Sequence, residues 1–226
     1  MKKQWTGPPE YESWPSVTTI LKLAGKGEAL ENWKAKKIAA AGDAQAANKY
    51  ASAAGDRGTF VDEWIKATLE GRVNAPVPDD WGGYTEAAKS WIQGCNVRSA
   101  GLDVNVWHLA HRYRGTIDAV VTLGGEDKIL VDFKTVEKAS SLQYRPYDTH
   151  CMQVAAYTKA YEEAFAKKVD YVGIVRFTGD GEYKIDIFSD EELFLAQKAF
   201  LGILDYYNFR EGYNGKKEAP GPERTL

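Results

Sequence analysis

The chain has 226 residues, 44% of them hydrophobic, with seven Trp and thirteen Tyr. That suits one domain with a sizeable core and excludes a disordered chain. The formal net charge of −3 gives bulk attraction to nucleic acid no support, although a local basic groove can exist on an acidic protein. Cys95 and Cys151 are the two cysteines, so a four-cysteine zinc or iron–sulfur site is excluded and no disulfide is required. No apolar run is long enough to cross a bilayer, and "MKKQWTGPPEYESWP" lacks the apolar stretch of a signal peptide. The expectation is a soluble cytoplasmic protein with no membrane partner.

The first hundred residues read as mostly helical. "PSVTTILKLAGKG" offers a Ser/Thr start and a Gly stop. "EALENWKAKKIAAAGD" has helical composition and a basic face at Lys34, Lys36 and Lys37. In "RGTFVDEWIKATLEGR", Phe60, Trp64, Ile65 and Leu69 are spaced for one apolar stripe. "NAPVPDD" is a loop, and "WGGYTEAAKSWIQGCN" is a further helix. From about residue 102 the pattern changes to strands at "LDVNVWHLA", "GTIDAVVTL" and "DKILVDFKT". A helix follows over 147–167, then strands "DYVGIVRF" and "EYKIDIF" around a "TGDG" turn. "SDEELFLAQKAFLGILDYYNFR" closes as a long helix with a cap-like Ser/Asp. The expected layout is one α/β domain over 1–212: a helical part over 1–100, a sheet core over 101–190 and a closing helix over 190–212. A loose tail is expected over 213–226.

Three charges sit inside the apolar strands. Side chains alternate along a strand, so Ile129, Val131 and Phe133 share one face and Leu130, Asp132 and Lys134 the other. In the preceding strand Ile117, Ala119, Val121 and Leu123 oppose Thr116, Asp118, Val120 and Thr122. Burying both apolar faces together requires an odd-length turn, such as three residues within "GGEDK" with Gly left-handed. The same register gathers Asp118, Asp132 and Lys134 on one face. Two carboxylates there repel each other and lose hydration, which costs several kcal/mol without compensation. Lys134 compensates in part. A hard cation such as Mg²⁺ compensates further, with the carbonyl of Phe133 as an added ligand. The lysine would then stand beside an attacking water, to orient it, to deprotonate it or to stabilise charge on a phosphate.

The ordered set "GTID", "VDFKT" and "QVAAY" resembles the PD-(D/E)XK nuclease superfamily, in particular its RecB-type exonuclease branch, also seen in phages. The matching positions are Gly115 and Asp118, Asp132 and Lys134, then Gln153 and Tyr157. "RGTFVDEW" is similar to the branch's "RGT-x-x-H" helix, and "PSVTTIL" has the look of these proteins. The resemblance spans roughly residues 14–160. It implies a restriction-endonuclease-like mixed sheet flanked by helices. It also implies hydrolysis of DNA phosphodiesters with Mg²⁺ or Mn²⁺, acting on ends or single strands. Asp118 and Asp132 would hold the metal, Lys134 would assist the water, and Gln153 and Tyr157 would reach the site from one helix face. Asp62 stands where the branch carries a metal-binding His, and no Glu is found in "VNVWHLA", where many relatives carry an acid. Relatives that bear an Fe–S cluster need four cysteines, so that subtype is excluded.

Other readings stand beside these. Thr59 can cap a helix start, with Asp62 at the third position as a dipole partner rather than a ligand. Arg57 can hold a phosphate at that helix start or only pair with an acid. Tyr157 can be plain core. His108, His111 and His150 have no ligand spacing and read as ordinary polar positions. Arg112 and Arg114 can line a DNA path or a solvated face. Thr135, Tyr144 and Arg145 follow the lysine, and the last two could stack on or clamp an unpaired base. The rival functions are a structure-specific or nicking endonuclease and a non-catalytic DNA- or protein-binding module. A role in bacterial or phage recombination and repair comes from the resemblance.

Overall fold

A computed structural model of the chain describes residues 6–24 and 44–218. The basic helix expected at 28–43, with Lys34, Lys36 and Lys37, lies outside the described residues. Helix α1 (Val17–Leu21) starts as its sequence predicts, with the Ser16 side chain accepting from the Thr19 N–H at 3.1 Å. Helix α2 (Ala44–Leu69) begins well before the "RGT" segment. Thr59 is therefore mid-helix, not a cap: its hydroxyl donates to the Gly55 carbonyl one turn back, at 3.1 Å. For the same reason Arg57 does not stand at a helix start. Helix α3 is Gly82–Gly94.

The sheet follows: β1 (Arg98–His108), β2 (Tyr113–Leu123), β3 (Asp127–Val136), then α4 (Asp148–Phe165), β4 (Tyr171–Thr178) and β5 (Tyr183–Ile187). Its order is β1-β2-β3-β4-β5, antiparallel except for the β3–β4 pair, which α4 joins as a parallel crossover. The turn between β2 and β3 is the three residues Gly124, Gly125 and Glu126, because Leu123 pairs with Asp127. Both glycines have positive φ, 63° and 96°, which an L side chain rarely adopts. Helix α5 (Asp190–Glu218) runs past residue 212, where a tail was expected. Glycines at 212 and 215 lower helix propensity without blocking the backbone pattern, as proline would.

Helices cover both faces of this mixed sheet, the α/β architecture expected. Val17, Ile20, Val106, Ile117, Val120, Leu130, Ile174, Tyr157 and Phe200 form one core, under α1, α4 and α5. Val61, Ile65, Trp91, Ala119, Val121, Ile129, Val131, Phe133 and Phe177 form the other, under α2 and α3. The expected face of β2 is thus split: Ile117 enters one core while Ala119 and Val121 enter the other. The break falls opposite Asp103, which lies between the pairs Leu102–Ala119 and Val104–Ile117 and has φ of 47°. A left-handed residue there disturbs the pleat, and two-sided burial lets both sets be apolar. Among the described residues no helix is long and apolar enough to cross a membrane.

Candidate active site

The ladder between β2 and β3 stops at Ala119–Val131. The next inward donor, the Phe133 N–H, goes instead to the Asp118 carboxylate, at 2.8 Å from Oδ2. Asp118 thus ends the ladder, and the two strands fork beyond it. Asp132, one register step past the last pair, is 2% exposed. Its Oδ1 accepts from Gln153 Nε2 at 2.8 Å, and its Oδ2 is paired with Lys134 Nζ. Gln153 Nε2 also donates to the Tyr157 hydroxyl at 3.1 Å. The side chains of Tyr157, Gln153, Asp132 and Lys134 therefore form one connected chain from α4 to β3. The i, i+4 spacing of Gln153 and Tyr157 on α4 makes this possible.

Gly115 has a steric reason. A Cβ at that position would lie 2.4 Å from Cε1 of the Tyr157 ring. The ring occupies the place of a side chain on β2, and Tyr157, at 3% exposure, is at once core and part of the polar chain.

The donors fit a hard cation. Asp118 and Asp132 stand opposite each other in the β2–β3 register, one step past the last pair, and the Asp118 carboxylate reaches the Phe133 backbone. A strand residue sends N–H and C=O to the same edge, so the Phe133 carbonyl faces the fork with its N–H. Two carboxylates and a carbonyl are the oxygen donors that Mg²⁺ accepts, leaving positions for water and phosphate. Asp62 is placed differently. Its Oδ2 accepts from Lys66 Nζ at 2.7 Å, and Lys66 also donates to Asp103 Oδ1 at 2.6 Å. Lys66 is 2% exposed, so Asp62 is held by a buried lysine that also reaches the half-exposed Asp103. Among the described residues no three His, Cys, Asp or Glu side chains gather as a metal-holding group.

The remaining residues flank the fork. Gly58 lies against β3, its Cβ position 3.8 Å from Thr135 Oγ1. The neighbouring Arg57 guanidinium stacks on the Tyr84 ring at 4.7 Å, and its buried Nε has no hydrogen-bond partner among the described residues. Arg114 holds the chain before α1, its Nε donating to the carbonyls of Glu12 at 2.9 Å and Trp14 at 3.1 Å. Arg145 pairs with Glu192 and lies over the Phe188 ring. Tyr144 is 67% exposed.

Three features were not found in the sequence. Asp103 is an acid on β1 facing Asp118, within the strand where a Glu was sought. Lys66 is buried, and its i, i+4 spacing from Asp62 was the available signal. His150, taken as an ordinary polar residue, has its pKa pushed down to about 3 by burial, then by the charges of Lys134 and Arg176. It is therefore a neutral imidazole within range of the Lys134 charge. The spacing 150, 153, 157 on one helix face would have pointed to it.

No family model and no curated protein matches the sequence. Among solved structures the chain is similar to the alkaline exonuclease LHK-Exo from Laribacter hongkongensis. The identity is 13% and the TM-score 0.42, over 91% of this chain and 95% of that one. LHK-Exo in complex with dAMP gives 13% identity and a TM-score of 0.43, over 93% and 97% of the two chains. An exonuclease candidate from Eubacterium rectale gives 15% identity and a TM-score of 0.41, over 67% of each chain. At such identities and scores the functional reading is carried by the site itself.

Proposed function

We propose that the protein is a metal-dependent deoxyribonuclease that hydrolyses phosphodiester bonds at DNA ends or in single strands. The carrying observation is the fork, where Asp118, Asp132, Lys134, Gln153 and Tyr157 meet around an interrupted ladder. Asp118, Asp132 and the Phe133 carbonyl would hold Mg²⁺ or Mn²⁺. When bound, the cation polarises the phosphate and lowers the pKa of water. Lys134, a quarter exposed at 26%, would orient the attacking water and offset charge on the phosphate. Gln153 holds the Asp132 carboxylate in one orientation, and Tyr157 holds Gln153. The Arg57 guanidinium and Thr135 Oγ1 would offer donors to the substrate backbone.

The test is end-labelled linear single- and double-stranded DNA, beside closed circles, with Mg²⁺, Mn²⁺ or EDTA. Loss of linear DNA alone, abolished by EDTA, Lys134→Ala and Asp118→Ala, is the expected result. Cut circles would make it an endonuclease. The closure of Asp62 by Lys66 favours a second reading, a binding module on the same fold. DNA bound but left intact by folded protein under every condition would establish that reading instead.

A further inference from the structure

The segment between β3 and α4 is held more firmly than a connection requires. Arg176 on β4 is 4% exposed and its guanidinium makes four hydrogen bonds. Its Nε donates to Asp186 at 2.7 Å, Nη1 to the Ser141 carbonyl at 3.1 Å, and Nη2 to the carbonyls of Leu142 at 3.2 Å and Tyr144 at 2.8 Å. Lys184 adds a bond to the Leu142 carbonyl at 2.9 Å, and Asp180 accepts from the Ala139 N–H at 2.7 Å. Burying an Arg–Asp pair costs several kcal/mol of desolvation per ion unless good geometry offsets it. Here that geometry fixes the backbone of a surface segment.

What the segment presents outward is aromatic. Tyr144 is 67% and Tyr147 55% exposed. Both ends of the segment are at the site: it leaves β3 just after Lys134 and Thr135 and enters α4 one turn before Gln153. The Tyr147 ring also meets the His150 ring edge-on at 5.4 Å. Rigid, exposed rings joined to a cationic phosphate-handling site are the composition of a single-strand binding groove.

We infer that Tyr144 and Tyr147 form a stacking platform for an unpaired base of the substrate strand next to the phosphate at Lys134. The inference rests on the nuclease reading and deepens it: the preferred substrate is single-stranded or frayed at its end. Arg176 and Asp186 are positioning residues for the platform.

The experiment compares wild type, Tyr144→Ala/Tyr147→Ala and Tyr144→Phe/Tyr147→Phe on a single-stranded oligonucleotide containing 2-aminopurine. Cleavage kinetics are read with Mg²⁺, and 2-aminopurine fluorescence with EDTA. The alanine pair should raise KM about tenfold, the size of one lost base–aromatic stack, with kcat nearly unchanged. The phenylalanine pair should restore it. Quenching on binding should be present in wild type and lost in the alanine pair. An active enzyme whose KM ignores the alanine pair overturns the platform. If no DNA is cut, the nuclease reading fails separately. Quenching that depends on the tyrosines would still support the platform, and its absence would overturn it.

Discussion

Asp132 and Asp186 are both almost fully buried, at 2% and 4% exposure, and each is paired with a basic side chain. Their partners differ. Arg176 is 5% exposed in its side chain, and its fork ends on Asp186 and three carbonyls. Lys134 is 26% exposed and stands at the edge of an interrupted ladder. A planar guanidinium held by four fixed acceptors serves architecture, whereas a compact ammonium on a flexible stem at the edge of solvent keeps access to an incoming anion. Burial of charge therefore does not by itself mark chemistry here; access to the charge does.

The contrast is broken or sharpened by variants. The largest effect is expected from Lys134→Ala, which should lower DNA cleavage about 10³-fold. Its melting temperature should fall less than that of Arg176→Ala. A Lys134→Ala protein that unfolds readily yet still cuts DNA would reverse the contrast. Arg176→Ala leaves Asp186 buried without its cation and should cost about 3–5 kcal/mol in denaturant unfolding. Replacing both members, as Arg176→Met with Asp186→Leu, should recover most of that stability. Amide exchange over 139–147 should nevertheless accelerate, because the carbonyl acceptors lose their donors.

A smaller effect tests the join between β2 and α4. Gly115→Ala puts a methyl 2.4 Å from the Tyr157 ring, so the ring must shift. The expected cost is about 1–3 kcal/mol, the usual range for overpacking. Activity should fall with it, because Tyr157 holds Gln153 on Asp132. Unchanged stability would mean that the ring has room the structure does not provide.

The smallest effect is pH-dependent. The folded-state pKa of His150 is about 3, below the ordinary 6.5, so the unfolded chain binds the proton more readily. Its contribution is complete above about pH 6.5 and is lost progressively as pH falls towards 3. At pH 5 the loss should be about 1–2 kcal/mol, reduced from the full linkage value by partial exposure. Melting temperature measured between pH 7 and 5 should show this slope, and His150→Gln should flatten it.

The strands, the odd turn and the shared face of Asp132 and Lys134 were legible in the sequence because side-chain alternation is local and a register slip would expose an apolar set. The Gln153–Tyr157 pair was legible because helical spacing is local too. Residues whose roles depend on distant partners were not. Asp103 reads as one polar residue in a strand until β1 is set beside β2. Lys66 reads as a surface lysine until α2 packs on the sheet and closes it over Asp62 and Asp103. Thr59 reads as a cap because Gly55, Asp56 and Gly58 before it have low helix propensity, and only the continuous α2 moves it to mid-helix.

Composition and periodicity thus determined the α/β layering, the order of the elements and the core of the charged site. Tertiary structure alone decided which carboxylates keep access to solvent. It assigned Asp62 to a lysine, used Arg176 to fix the segment after β3, and buried His150 within range of the Lys134 charge. The physical reason is that alternation and helical repeat are set by neighbours in sequence. Desolvation and ion pairing are set by neighbours in space.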